Sequence, residues 1–199
     1  LVAYNNAVAA NPTNPAIYLS LAQFLSSQNK LDEALQAAGK ALSIKNNYLD
    51  AVFLVSQIQS TKGNINEAIT AGQVAVQINP NNPIAYFQLG LLYYYAKNYE
   101  FASQAMSVAL KLQPDYANAK YFLGLSYARL NKTELAIQQF TELDKANPNN
   151  PEISSILSAL RAGRSPFADS KASVSANVEK RSSLPIKEKK IKTDSETKI

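Results

Sequence analysis

The 199-residue chain holds 20 Lys and Arg against 15 Asp and Glu, and it has neither cysteine nor histidine. Without those two residue types there is no disulfide framework, and the usual ligands for zinc, haem or iron–sulfur clusters are missing. A catalytic triad or Cys–His pair also lacks its parts, so neither a cofactor, a metal site, catalytic residues nor an enzymatic activity is expected.

The charge excess is local. Residues 1–160 carry ten basic and ten acidic side chains, and residues 161–199 carry ten and five. The body of the chain therefore offers no overall basic field, and no nucleic-acid partner is expected. No apolar run approaches the ~20 residues that a membrane-spanning helix needs.

A spacing of 34 residues organises the chain as far as residue 150. Leu89, Gly90, Tyr93, Ala102 and Pro114 return as Leu123, Gly124, Tyr127, Ala136 and Pro148. Ala109 steps back through Ala75 and Ala41 to Ala7, and Pro114 steps back through Pro80 and Asn46 to Pro12. Residues 1–14, with Tyr4, Ala7 and Pro12 in register, read as the end of a preceding, truncated repeat, so the chain is expected to be a piece of a longer protein. Four full repeats follow: 15–48, 49–82, 83–116 and 117–150.

Asn14-Pro15, Asn82-Pro83 and Asn150-Pro151 each read as a helix start, because Asn caps free N–H groups and Pro is tolerated at the first helical position. First helices are expected near 15–28, 49–62, 83–96 and 117–130, and second helices near 31–44, 65–78, 99–112 and 133–146. Gly63 suits a left-handed helix end. Asn64 with Glu67, and Asn131 with Glu134, have the spacing of a capping box. Gly90 and Gly124 read as points where two helices approach closely. Gly72 and Gln59 bring little apolar bulk to the helices of the second repeat, which predicts a soft second repeat. Residues 151–163, with Ile153, Ile156, Leu157 and Leu160 on one face, read as a terminal capping helix. Residues 164–199 are rich in Ser, Lys and acidic residues and read as a disordered basic tail.

The fixed period and its small, aromatic and proline positions resemble the tetratricopeptide repeat, a family of 34-residue helix pairs. That resemblance implies an all-α, right-handed superhelical solenoid of antiparallel helix pairs. It also implies a binding groove lined by repeat positions 2, 5, 9, 12 and 13 of the first helices. Here those positions include Phe53, Gln57, Phe87, Leu91, Tyr94, Tyr95, Tyr121, Leu125 and Arg129. The expected partner is a protein or peptide segment with apolar side chains, held by an apolar surface on which Phe87, Tyr94 and Tyr121 are continuous. The bland alternative is that individual aromatics tuck into packing between repeats. Some family members grip a C-terminal carboxylate with a Lys/Asn clamp. The matching positions here are Leu19, Gln23 and Leu54, so that clamp is not expected.

Two other functions stay open at this point. The end of the array, NPNNPEISSILSALRAGRSPF, is similar to modules appended to bacterial multi-pass membrane proteins of the O-antigen ligase or polymerase type. In that case the piece is a soluble accessory part. The cluster Lys187, Lys189, Lys190 and Lys192 could instead touch nucleic acid or anionic lipid, although interleaved acidic residues favour a solvating tail.

Overall fold

The computed structural model describes residues 2–167 together with 185 and 186. Among the described residues the fold is all-helical, with ten helices. These are α1 (Val2–Ala10), α2 (Pro15–Ser27), α3 (Leu31–Ile44), α4 (Leu49–Thr61), α5 (Ile65–Ile78), α6 (Pro83–Tyr95), α7 (Tyr99–Leu112), α8 (Ala117–Arg129), α9 (Thr133–Ala146) and α10 (Pro151–Arg161). The second helices begin and end where the period puts them, and the first helices stop one residue earlier than expected.

The caps explain these boundaries. The Asn14 side chain accepts from the Ala16 N–H, Asn82 from Ile84 and Ala85, and Asn150 from Glu152 and Ile153, with Pro at the next position each time. Each such cap contributes about 1 kcal/mol relative to alanine. The turns inside repeats share one device. Asn29, Gly63, Lys97 and Asn131, each 34 residues apart, have φ of 57°, 81°, 60° and 57°. At three of them the next N–H reaches back over six residues: Lys30 to the Leu25 carbonyl, Asn64 to Gln59 and Lys132 to Tyr127, each at 2.9 Å. This is the Schellman closure that satisfies carbonyls left over at a helix end.

The two expected capping boxes do not form. Asn131 is left-handed and closes α8, so Lys132 caps α9. Asn64 does stand at the cap of α5, but its amide donates to the Gln59 side chain at 2.9 Å.

The chain divides into two compact units, Leu1–Ala96 and Lys97–Ile199. The division falls within the third 34-residue repeat, between α6 and α7, so compact units and sequence repeats are cut differently.

In the first unit α2 packs on α3, α4 on α5, and α5 on α6. Its interior is built from small residues: Ala22, Ala34, Ala38, Ala41 and Ala51 are fully enclosed beside Leu19, Leu25, Leu54 and Ile58. Small side chains let the helices approach closely enough for Ser56 Oγ on α4 to donate to the Ala68 carbonyl on α5 at 3.0 Å. Gly72 is not missing bulk. A Cβ there would already lie 3.2 Å from Cδ1 of both Leu89 and Leu92, so α6 fills the space. Tyr93 is half-buried, and its hydroxyl accepts from Gln73 Nε2 at 2.9 Å.

In the second unit the interior is aromatic. Tyr121 meets Phe140 edge-on with centroids 5.6 Å apart, and Phe122 at 5.4 Å. Gly124 makes room for this: a Cβ on it would sit 2.7 Å from Phe140 Cε2. Lys120, placed where a large apolar residue is usual, pairs with Glu142 at 2.7 Å. Ile153, Ile156, Leu157 and Leu160 of α10 are all buried, so this helix covers the last pair as its apolar face implies.

Candidate functional site

In the first unit, α2, α4 and α6 turn one face of each helix into a shared cleft of about 600 Å³. Its apolar lining comes from Leu19, Phe53, Leu54, Leu91 and Leu92, and Tyr95 adds an aromatic ring. Gln23, Gln57 and Gln88 bring amides that both donate and accept, with Ser60 and Thr61 beside them. Asp50, in the first turn of α4, is the charged residue of the lining. Such a surface can bury aliphatic or aromatic side chains and hydrogen-bond a peptide main chain, since a side-chain amide matches both an N–H and a C=O. No lysine or arginine lines it, so a carboxylate terminus finds no countercharge there.

Of the residues expected in a groove, Phe53, Gln57, Leu91 and Tyr95 therefore lie together. Tyr95 is 40% exposed, and Phe53 is half-buried. Phe87 and Tyr94, from the same helix α6, are not a surface: both are 4% exposed. Large rings sink where they can be enclosed, because burial removes 150–250 Å² from water.

Tyr121, Leu125 and Arg129 lie in the second unit on α8. Tyr121 and Leu125 have no exposed surface. The Tyr121 hydroxyl donates to Glu152 Oε1, in the first turn of α10, at 2.6 Å. The continuous apolar surface expected from Phe87, Tyr94 and Tyr121 is thus replaced by three buried rings. Arg129 is partly buried, and its guanidinium stacks 3.7 Å from the centroid of Phe167.

Sequence reasoning missed Asn118. It stands at repeat position 2 of α8, fully buried. Its Nδ2 donates to the Ile186 carbonyl at 2.8 Å, and its Oδ1 accepts from the Ile186 N–H at 3.1 Å. Ile186 is 5% exposed. Phe167 and Ile186, both within the stretch 164–199 expected to be disordered, are placed against α8. Residues 168–184 and 187–199, including the lysine cluster 187–192, lie outside the described residues. The signal for Asn118 was present: an Asn, a poor helix former, inside a helix on the groove face. Asn near a helix start more often serves as a cap, so the residue type alone does not report the contact.

Among the described residues no group of acidic side chains could hold a metal ion, and no helix is long and apolar enough to cross a membrane.

Three family models match the chain: a TPR repeat over residues 61–96, and tetratricopeptide repeats over 87–151 and 3–36. No protein of curated function matches it significantly in sequence. Among solved structures, the chain is similar to YrrB, described as a TPR protein with an unusual peptide-binding site. The TM-score is 0.70 at 21% identity over 81% of this chain and 83% of that one. It is also similar to MamA (41-end) from Desulfovibrio magneticus RS-1, with a TM-score of 0.69 at 19% identity over 75% and 84% of the two chains. A tetratricopeptide repeat protein from Parabacteroides merdae gives a TM-score of 0.68 at 23% identity over 80% and 62%. The repeat register, the helix pairs built on it and these matches agree: the chain belongs to the tetratricopeptide repeat family.

Proposed function

We propose that the chain is a protein-binding scaffold whose first unit takes an extended protein or peptide segment in the cleft between α2, α4 and α6. A protein-interaction role is typical of the family, and its members are generally non-catalytic. The observation that supports the finer reading is the cleft's lining, in which an apolar floor is flanked by Gln23, Gln57 and Gln88. Aliphatic or aromatic side chains of the segment fill the floor, and the glutamines pair with its main chain. Asp50 favours a neutral or basic segment over an acidic one, since an added like charge at short range costs binding.

The test is selection from a random 12-residue peptide library against the chain, followed by binding to a Phe53→Ala, Tyr95→Ala double variant. Selected peptides are expected to be apolar and poor in Asp and Glu, and to lose at least tenfold in affinity to the variant while its helical melting holds. This follows from the weight that buried aromatic anchors carry at interfaces. Peptides that bind both proteins equally would place the site elsewhere.

A further inference from the structure

The geometry points to a second peptide site, on α8, that the chain fills with its own C-terminal segment. Asn118 grips both main-chain polar groups of one residue, Ile186, through its side-chain amide. Two such bonds to one residue resemble the paired exchange between opposite residues of an antiparallel ladder. The Asn118 amide therefore reads the main chain of this residue at two points.

The segment also touches the other end of the same helix face. Asn118 and Arg129 are eleven residues apart on α8, about 16 Å at 1.5 Å per residue, and Arg129 stacks on Phe167. Eighteen residues separate Phe167 from Ile186. Such a tether could span several times that distance, so the contact at Ile186 is not forced by chain connection. It is held by its own chemistry: an enclosed aliphatic side chain and a two-point main-chain bond. Pro185 just before it fixes one backbone angle in advance and lowers the ordering cost.

A site that recognises main chain plus one aliphatic side chain also accepts such a segment from another protein, and the tethered copy competes with it. Covalent linkage over a tether of this length gives an effective concentration of about 1 mM. If the free segment binds with a Kd near 0.1 mM, self-occupation weakens an incoming peptide roughly tenfold. The inference is independent of the cleft in the first unit, and either can fail without the other.

The experiment measures binding of a fluorescent peptide, RSSLPIKEKKIK, with the sequence of residues 181–192, to the full chain and to its Ile186→Asp variant. Ile186→Asp is expected to release the site and bind the peptide at least tenfold more tightly than the unaltered chain. A peptide N-methylated at the isoleucine lacks the N–H that Asn118 accepts, and is expected to bind the variant at least tenfold more weakly than the plain peptide. Adding Asn118→Asp to Ile186→Asp, which removes the donor, is expected to abolish binding while circular dichroism stays helical. Equal peptide affinity for unaltered and Ile186→Asp chains would overturn the proposal, and so would equal affinity of the methylated and plain peptides. The latter result stands whether or not the Asn118 variant folds. Sedimentation of the unaltered chain as a dimer that Ile186→Asp dissociates would assign the segment to a second copy and overturn self-occupation.

Discussion

Asp50, Phe53, Gln57 and Thr61 of α4 stand two repeats before Asn118, Tyr121, Leu125 and Arg129 of α8. They hold the same four places on the same kind of helix, yet the first four line an open cleft and the second four are covered. On α4 the places past the ring carry an amide and a hydroxyl that remain favourable in water, and Thr61 Oγ1 donates back to the Gln57 carbonyl at 2.9 Å. On α8 the matching place is Leu125, whose exposure would cost about 1.5–3 kcal/mol. That helix is closed by Glu152 on the Tyr121 hydroxyl, Ile186 on Asn118 and Phe167 on Arg129. Helical phase determines which way a side chain faces. The chemistry of the face determines whether something must cover it.

The largest effect that separates the units is expected at glycine. Gly124→Leu forces a side chain into space that Phe140 holds, 2.7 Å from where the Cβ would be, and is expected to destabilise the chain by ~3 kcal/mol or more. Gly39→Ala on α3 meets nothing within 4 Å and is expected to stabilise by ~0.5–1 kcal/mol, since alanine is the better helix former. Urea denaturation midpoints of the two variants check both signs. A neutral Gly124→Leu would mean the aromatic interior of the second unit is looser than its geometry.

A smaller effect is expected at the covered and uncovered hydroxyls. Tyr121→Phe keeps the ring and removes the hydrogen bond to Glu152, at a cost of ~1–2 kcal/mol, because a bond to an acidic side chain is worth more than a neutral one. Thr61→Val removes an exposed hydroxyl from the cleft and is expected to change stability by no more than ~0.5 kcal/mol. Thermal melting distinguishes them. Equal shifts would erase the contrast between the two faces.

Most of the fold was legible. Asn-Pro pairs mark three helix starts by capping chemistry, and the 34-residue period carries those marks to the helices that lack them. The left-handed turns were legible only at Gly63, since Asn29, Lys97 and Asn131 adopt the same angle without glycine. The groove was half legible. Repeat positions led to Phe53, Gln57, Leu91 and Tyr95, but nothing in a 3.6-residue period reports depth, and Phe87, Tyr94 and Tyr121 sit too deep to form a surface. The Asn118 contact joins residues 68 positions apart, beyond the reach of any local pattern.

The smallest effect concerns the turn after α6. Lys97 holds φ of 60°, a conformation that costs a side-chain-bearing residue ~1 kcal/mol or more. Lys97→Gly relieves that strain and is expected to stabilise by ~0.5 kcal/mol, after the glycine's own entropy is counted. The same change at Asn29 is expected to do less, since Asn tolerates this region better. Chemical denaturation of the pair resolves the ranking.

The contrast between an open first face and a self-occupied second one is tested most directly by hydrogen exchange at the Ile186 amide. That N–H is donated to a fully buried Asn118. It is expected to exchange at least tenfold more slowly than an unprotected amide of the same sequence, and to regain the unprotected rate in Asn118→Ala. An Ile186 amide that exchanges at the unprotected rate in the unaltered chain would contradict the account.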